Sequence, residues 1–212
     1  SSYVDYAYPD CGYLSDSRMQ DYGGKFKLGY NSGKWNIELN YLYSNSRVGI
    51  PGHTHDSLAT PTSFLVEEQD RGFSLPHQKI QNHFANIKAS YFMNSKNKME
   101  FYVNHGYNNL KEFEEKIFTP GIDMYLNASS FQVRHHWNPN KNLQVLSGIQ
   151  ASAQSNNNGI KAEERLIDDS DQYDVGLYSS LSYDFGGLKF NTVIRLDQRS
   201  IRSAEFNNDY PN

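Results

Sequence analysis

Hydrophobic and polar residues alternate along most of this chain. Between Lys25 and Tyr30, the side chains of Phe26, Leu28 and Tyr30 are interleaved with Lys25, Lys27 and Gly29. Trp35, Ile37, Leu39, Tyr41 and Tyr43 then alternate mainly with Asn36, Glu38 and Asn40. The same period of two recurs through Ala85–Met93, Met99–Tyr107, Phe131–Trp137, Leu143–Ala151, Tyr173–Tyr183 and Leu188–Leu196. Successive side chains of a strand point to opposite faces, so this spacing predicts strands with one apolar and one polar face. Eight are expected, over 18–31, 34–47, 81–94, 98–112, 123–137, 141–154, 172–184 and 188–202, and residues 2–8 are compatible with a ninth.

The connections alternate in length. Asn31–Lys34, Asn94–Asn97, Asn138–Lys141 and Asp184–Gly187 have the Asn, Asp, Gly and Pro content of tight turns. The segments 48–80, 113–122 and 155–171 are longer. Short turns at one end and long loops at the other are the pattern of an outer-membrane barrel. Tyr30, Trp35, Tyr91, Trp137 and Tyr183 fall beside the short turns, while Tyr43, Tyr107 and Tyr173 fall toward the loop ends. Aromatic rings with a polar edge collect at membrane–water boundaries. The expected fold is therefore all-β: an antiparallel up-and-down meander of about eight long strands, part of a transmembrane barrel. A soluble β-sandwich also alternates, but its strands average about 5–6 residues.

Composition narrows the picture. Aromatics make up 14% of the chain, with 16 Tyr and 12 Phe, whereas hydrophobic residues reach only 37%. Globular proteins carry roughly 45–50% apolar residues, so aliphatic core material is short. A net charge of −4 with scattered signs gives no basic stripe for nucleic acid. Cys11, the single cysteine, has no partner for an intrachain disulfide. No apolar run approaches the roughly 18 residues of a membrane helix, a test to which membrane strands are blind.

Candidate chemistry is sparse. His53-Thr54-His55-Asp56 lies in the longest loop, where His53, His55 and Asp56 are candidate contacts for a metal or metal chelate. Three such ligands fall short of a structural zinc set, and a solvated loop is the plainer reading. His83 and His105 occupy apolar-face positions suited to cross-strand stacking. His135 is expected in the aromatic belt beside Trp137, and His136 on the polar face. Glu112, Glu114 and Glu115 sit at a strand exit with no activating partner in view. No nucleophile elbow or phosphate loop is present, so no catalytic residue and no cofactor is assigned, and the chain is not expected to be an enzyme.

The order of certain segments resembles the barrel of TonB-dependent outer-membrane receptors of the Bacteroidetes type. They are Asn45-Ser46-Arg47-Val48-Gly49-Ile50-Pro51-Gly52, Leu75-Pro76-His77-Gln78-Lys79-Ile80-Gln81-Asn82-His83, Leu110-Lys111-Glu112-Phe113-Glu114-Glu115 and Ile122-Asp123-Met124-Tyr125-Leu126. Gly148-Ile149-Gln150-Ala151, Asn156-Asn157-Asn158-Gly159, Leu166-Ile167 and Tyr173-Asp174-Val175-Gly176-Leu177 follow. Asp168 stands where the family often has Pro, and Lys116–Gly121 is brief where some relatives carry a long acidic, His-rich loop. The resemblance implies one partial barrel segment over 1–212, without the plug domain, from a roughly 22-stranded transporter. It also implies a bacterial outer-membrane location and uptake of a scarce nutrient, with an iron–siderophore or other metal chelate bound at the extracellular loops. The implied partners are the lipid bilayer and, through the plug, the TonB complex. Two alternatives stay open: a self-contained eight-stranded outer-membrane protein for adhesion or structure, and a soluble barrel or sandwich that binds a ligand.

Overall fold

A computed structural model describes residues 2–8, 12–51, 60–70 and 72–204. Two short strands open the chain, β1 (Ser2–Tyr3) and β2 (Tyr6–Tyr8), followed by β3 (Gly12–Leu14). The long strands begin with β4 (Met19–Ser32) and β5 (Trp35–Gly49). A single turn of 3-10 helix, Pro61–Phe64, leads into β6 (Leu65–Val66). Then come β7 (His77–Asn94), β8 (Asn97–Phe113), β9 (Ile122–Trp137), β10 (Leu143–Asn158), β11 (Ser170–Asp184) and β12 (Lys189–Ser203).

The eight long strands form one antiparallel meander, with β1 added at the β4 edge and β12 at the other. The two edges do not pair, so the sheet is open. Strands β2, β3 and β6 make a separate small sheet. The region expected as a ninth strand is thus divided: its first part pairs with β4, and the rest joins the small sheet. Among the described residues, no helix is long and apolar enough to cross a membrane.

The turns form where the sequence supplies side-chain acceptors. Asn94 Oδ1 accepts the Lys96 amide at 2.9 Å, and Asn140 Oδ1 accepts those of Asn142 and Leu143, each at 2.9 Å. Asp184 Oδ1 accepts Gly186 N at 2.8 Å, and Gly186 adopts φ +88°, which costs glycine no side-chain clash. All the short turns lie at one end of the sheet.

The strands outrun their sequence-based limits at the loop end. β7 begins at His77 rather than 81, and β10 continues to Asn158 rather than 154. Alternation fades there because neither face is apolar, yet Asn156–Asn158 still pair with Leu126–Met124 of β9.

Burial reverses the usual arrangement. Phe113 and Ile122 are the buried hydrophobic residues among those described, whereas Asp5, Arg18, His77, Asn109 and Asp123 are buried polar ones. These lie at the loop end, while Ser90 and Glu100 are buried near the turns. Along the rest of the sheet the apolar side chains form one uncovered surface.

Candidate membrane interface and polar wall

Register fixes which side chains share the apolar face. Ile37, Leu39 and Tyr41 of β5 stand beside Ala89, Ile87 and Ala85 of β7, then Phe101, Val103 and His105 of β8. Val133 and Phe131, Ile149 and Ala151, then Leu177 and Val175 continue the surface. Leu196 and Ile194 of β12 end it, each 68% exposed.

Aromatic rows bound this surface. At the turn end, Trp35 packs on Tyr91 with ring centroids 4.6 Å apart, and Trp137 and Tyr183 lie at the same end of their strands. At the loop end, rings run continuously from β4 to β9. Tyr22–Tyr43 are 6.1 Å apart, Tyr43–His83 4.9 Å, His83–Tyr107 5.6 Å and Tyr107–Tyr125 6.5 Å. His83 is fixed within the row, because its Nδ1 lies 2.7 Å from the Tyr41 hydroxyl and its Nε2 3.0 Å from Gln81 Nε2. The expected stacking of His83 is therefore seen; His105 instead approaches Ser129 Oγ at 2.8 Å. Between the rows, no Asp, Glu, Lys or Arg among the described residues has the strand parity of the apolar face.

The opposite face is a wall of cross-strand polar contacts. In one register row, Asn40 Nδ2 donates to Asn86 Oδ1 at 3.3 Å, Asn86 Nδ2 to Asn104 Oδ1 at 2.5 Å, and Asn104 Nδ2 to Ser130 Oγ at 3.0 Å. The row resumes with Ser152 Oγ donating to Asp174 Oδ2 at 3.2 Å, and Arg199 Nε to Asp174 Oδ1 at 2.5 Å. Two rows toward the loops, Asn108 Nδ2 donates to Asn82 Oδ1 at 2.6 Å and Asn82 Nδ2 to Ser44 Oγ at 3.2 Å. Near the turns, Glu100 meets Lys98 at 2.9 Å and His136 Nε2 at 2.8 Å. His136 is thus on the polar face as expected, while His135 contacts Asn97 Oδ1 at 3.1 Å near Trp137.

Two aromatic side chains of this wall lie over glycines. A Cβ on Gly148 would stand 2.5 Å from the Tyr178 hydroxyl, and one on Gly106 would stand 3.3 Å from the Phe84 ring. Glycine in a strand marks such close approaches.

The loop end carries the densest chemistry. Arg18 Nε lies 3.2 Å from Asp5 Oδ1, its Nη2 2.9 Å from Asp16 Oδ1, and its Nη1 2.7 Å from Asp70 Oδ2. Its Nη1 also donates to the Gly72 carbonyl. One guanidinium therefore ties the N-terminal segment and the loop before β7 to the top of the sheet. Beside it, His77 donates from Nδ1 to the Ser74 carbonyl at 2.8 Å and accepts at Nε2 from Arg47 Nη2 at 3.0 Å. Its ring stacks on Phe113 at 5.0 Å and 17°. His77 lies six residues beyond His83, outside the band between the aromatic rows. Burial, the largest influence, holds its pKa below the ordinary 6.5. The Ser74 hydrogen bond raises it, Arg47 and Lys79 lower it further, and Asp16 raises it.

The sequence gives little notice of this cluster. Its members are scattered from Asp5 to His77, and only their breaks in the alternation mark them. His53, His55 and Asp56 lie outside the described residues. Among the described residues, no group of three His, Cys, Asp or Glu side chains could hold a metal ion. Glu112 accepts from Gln78 Nε2 on the polar face, and Lys116, at the loop carrying Glu114 and Glu115, pairs with Glu163. No known family model matches this chain, and no curated protein matches it.

Proposed function

We propose that this chain is a wall segment of an outer-membrane β-barrel, belonging to a TonB-dependent receptor that takes up a scarce nutrient such as an iron chelate. The carrying observation is the apolar face: one uncovered surface, free of formal charge, bounded at both ends by aromatic rows. Trp35 and Tyr43 are eight residues apart on β5. At roughly 3.3 Å per residue and about 40° of tilt, that spans on the order of 20 Å, close to the apolar band of such barrels. A lipid bilayer supplies the missing cover. The hydrogen-bonded wall behind it suits a wet interior, and the tied loop end suits the extracellular side.

An open sheet cannot rest in lipid with unpaired edges. The β4 and β12 edges therefore call for further strands, which supports a larger barrel over a self-contained eight-stranded one. A soluble ligand-binding module would need a second layer over the apolar face, and no described residue provides it.

Two measurements test the reading. In phosphatidylcholine vesicles, Trp35 and Trp137 should emit at shorter wavelength than in buffer and be quenched best by lipids brominated near the headgroup. Unshifted, unquenched emission sinks the membrane assignment. For the receptor assignment, cells carrying the encoding gene should lose ferric-chelate uptake on its deletion and on collapse of the proton-motive force. Uptake unaffected by either leaves a barrel without this transport role.

A further inference from the structure

We propose that the apolar face, just beyond its loop-end aromatic row, binds the phosphorylated headgroup of an outer-leaflet glycolipid. This rests on the membrane reading above. Arg47, Lys79 and Lys111 are direct register partners across β5, β7 and β8. Neighbouring strands are about 4.8 Å apart, so three cations stand side by side. Each lies over a ring: Arg47 Cζ is 4.5 Å from the Phe73 centroid, Lys79 Nζ 4.9 Å from Phe113 and Lys111 Nζ 5.6 Å from Tyr125. Burial first, then the neighbouring charges of Arg47 and Lys111, lower the Lys79 pKa from 10.5.

A carboxylate compensates one cation of the row, Lys111. Asp123 holds Lys111 at 3.2 Å, and Glu163 is engaged by Lys116. Lys79 and Lys161 have no carboxylate partner among the described residues. Lys161 and Lys111 share a concavity of about 340 Å3 with Phe118, Tyr125, Gly159 and the Asp123 carboxylate that Lys111 holds. Phe118 is 92% exposed there, a flat apolar surface for a sugar ring.

Below the aromatic row, small side chains open a groove. Ala151 and Ala153 lie between Val103 and Phe131 on one side and Tyr173 and Val175 on the other, leaving a shallow, open depression of about 420 Å3 with a mainly apolar floor. Read along the strands, cations, rings and groove follow one another as phosphate, sugar and acyl chain do in a phosphorylated glycolipid. Each lysine or arginine near an anionic membrane surface adds to the attraction.

The experiment titrates three probes into the full chain in neutral detergent: bisphosphorylated lipid A, its dephosphorylated form and inorganic phosphate. Native mass spectrometry reads occupancy. The phosphorylated lipid should bind at least about tenfold more tightly than the dephosphorylated one, and inorganic phosphate at equal concentration should not displace it. Lys79→Gln/Lys111→Gln/Lys161→Gln should abolish that preference, while Lys25→Gln/Lys27→Gln on the polar face should keep it. Lys161→Glu, at an exposed loop position, should weaken the preference several-fold without threatening the sheet. Equal binding of the two lipids, retained preference in the triple or the Lys161→Glu variant, or displacement by inorganic phosphate overturns the proposal. Insertion into phosphatidylcholine vesicles without any phosphate preference overturns this site alone. Failure to insert at all overturns the membrane reading with it.

Discussion

Arg18 shows how much one side chain holds at the loop end. It is buried and flanked by three carboxylates, and Asp5 beside it is 2% exposed. Removing one partner of a buried ion pair strands the other, at a cost of about 3–5 kcal/mol. Arg18→Ala should therefore release residues 60–76 to protease while the long strands stay protected in hydrogen exchange. Arg18→Lys should rescue little, because an ammonium lacks the fork that reaches three acids at once. His77 gives the same region a pH dependence. Its pKa is lower folded than unfolded, so below about 6.5 the unfolded chain binds more protons. The loop end should lose stability as pH falls from 6.5 toward the folded pKa, and change no further below it. Exchange rates of residues 72–77 across a pH series, with His77→Gln as the flat control, measure this. Glycines separate in the same manner. Gly148→Ala should destabilise by about 1–3 kcal/mol, because its Cβ meets both the Tyr178 ring and the Val133 carbonyl. Gly24→Ala, with nothing within 4 Å, should be near neutral in the same urea titration.

At the scale of the strand, parity decides the outcome of a charge. Leu39→Arg places a guanidinium midway between the aromatic rows and should cost about 2–4 kcal/mol in vesicles. Asn40→Arg, one residue on, faces the polar wall and should cost far less; equal costs would show that both faces are wet. The strands themselves were legible because period-two alternation needs only neighbouring residues. Their loop-end limits were not, since His77–Ile80 and Ser155–Asn158 show no apolar alternation and are defined by cross-strand pairing. The aromatic rows were partly legible: Tyr43 and Tyr107 mark the level, but Tyr22, His83 and Tyr125 join it only through cross-strand register. The Arg18 cluster was illegible, because its acids come from Asp5, Asp16 and Asp70, brought together by tertiary folding.

For the whole molecule, the open sheet and its faces set the terms of any assembly. β12 is exposed along its full length, and β4 is paired by β1 only at Met19 and Gln20. On the proposed barrel reading, further strands meet those two edges, with lipid covering one face and water or a polar domain the other. The amide row from Asn40 to Ser130 adds a consequence for anything that moves along the interior. Its carbonyls and amino groups largely engage one another across the strands. A passing solute therefore finds a surface whose strongest sites are already occupied. On the proposed transport reading, each contact with it would be brief, and the wall would guide cargo without retaining it, as conduction through a pore requires.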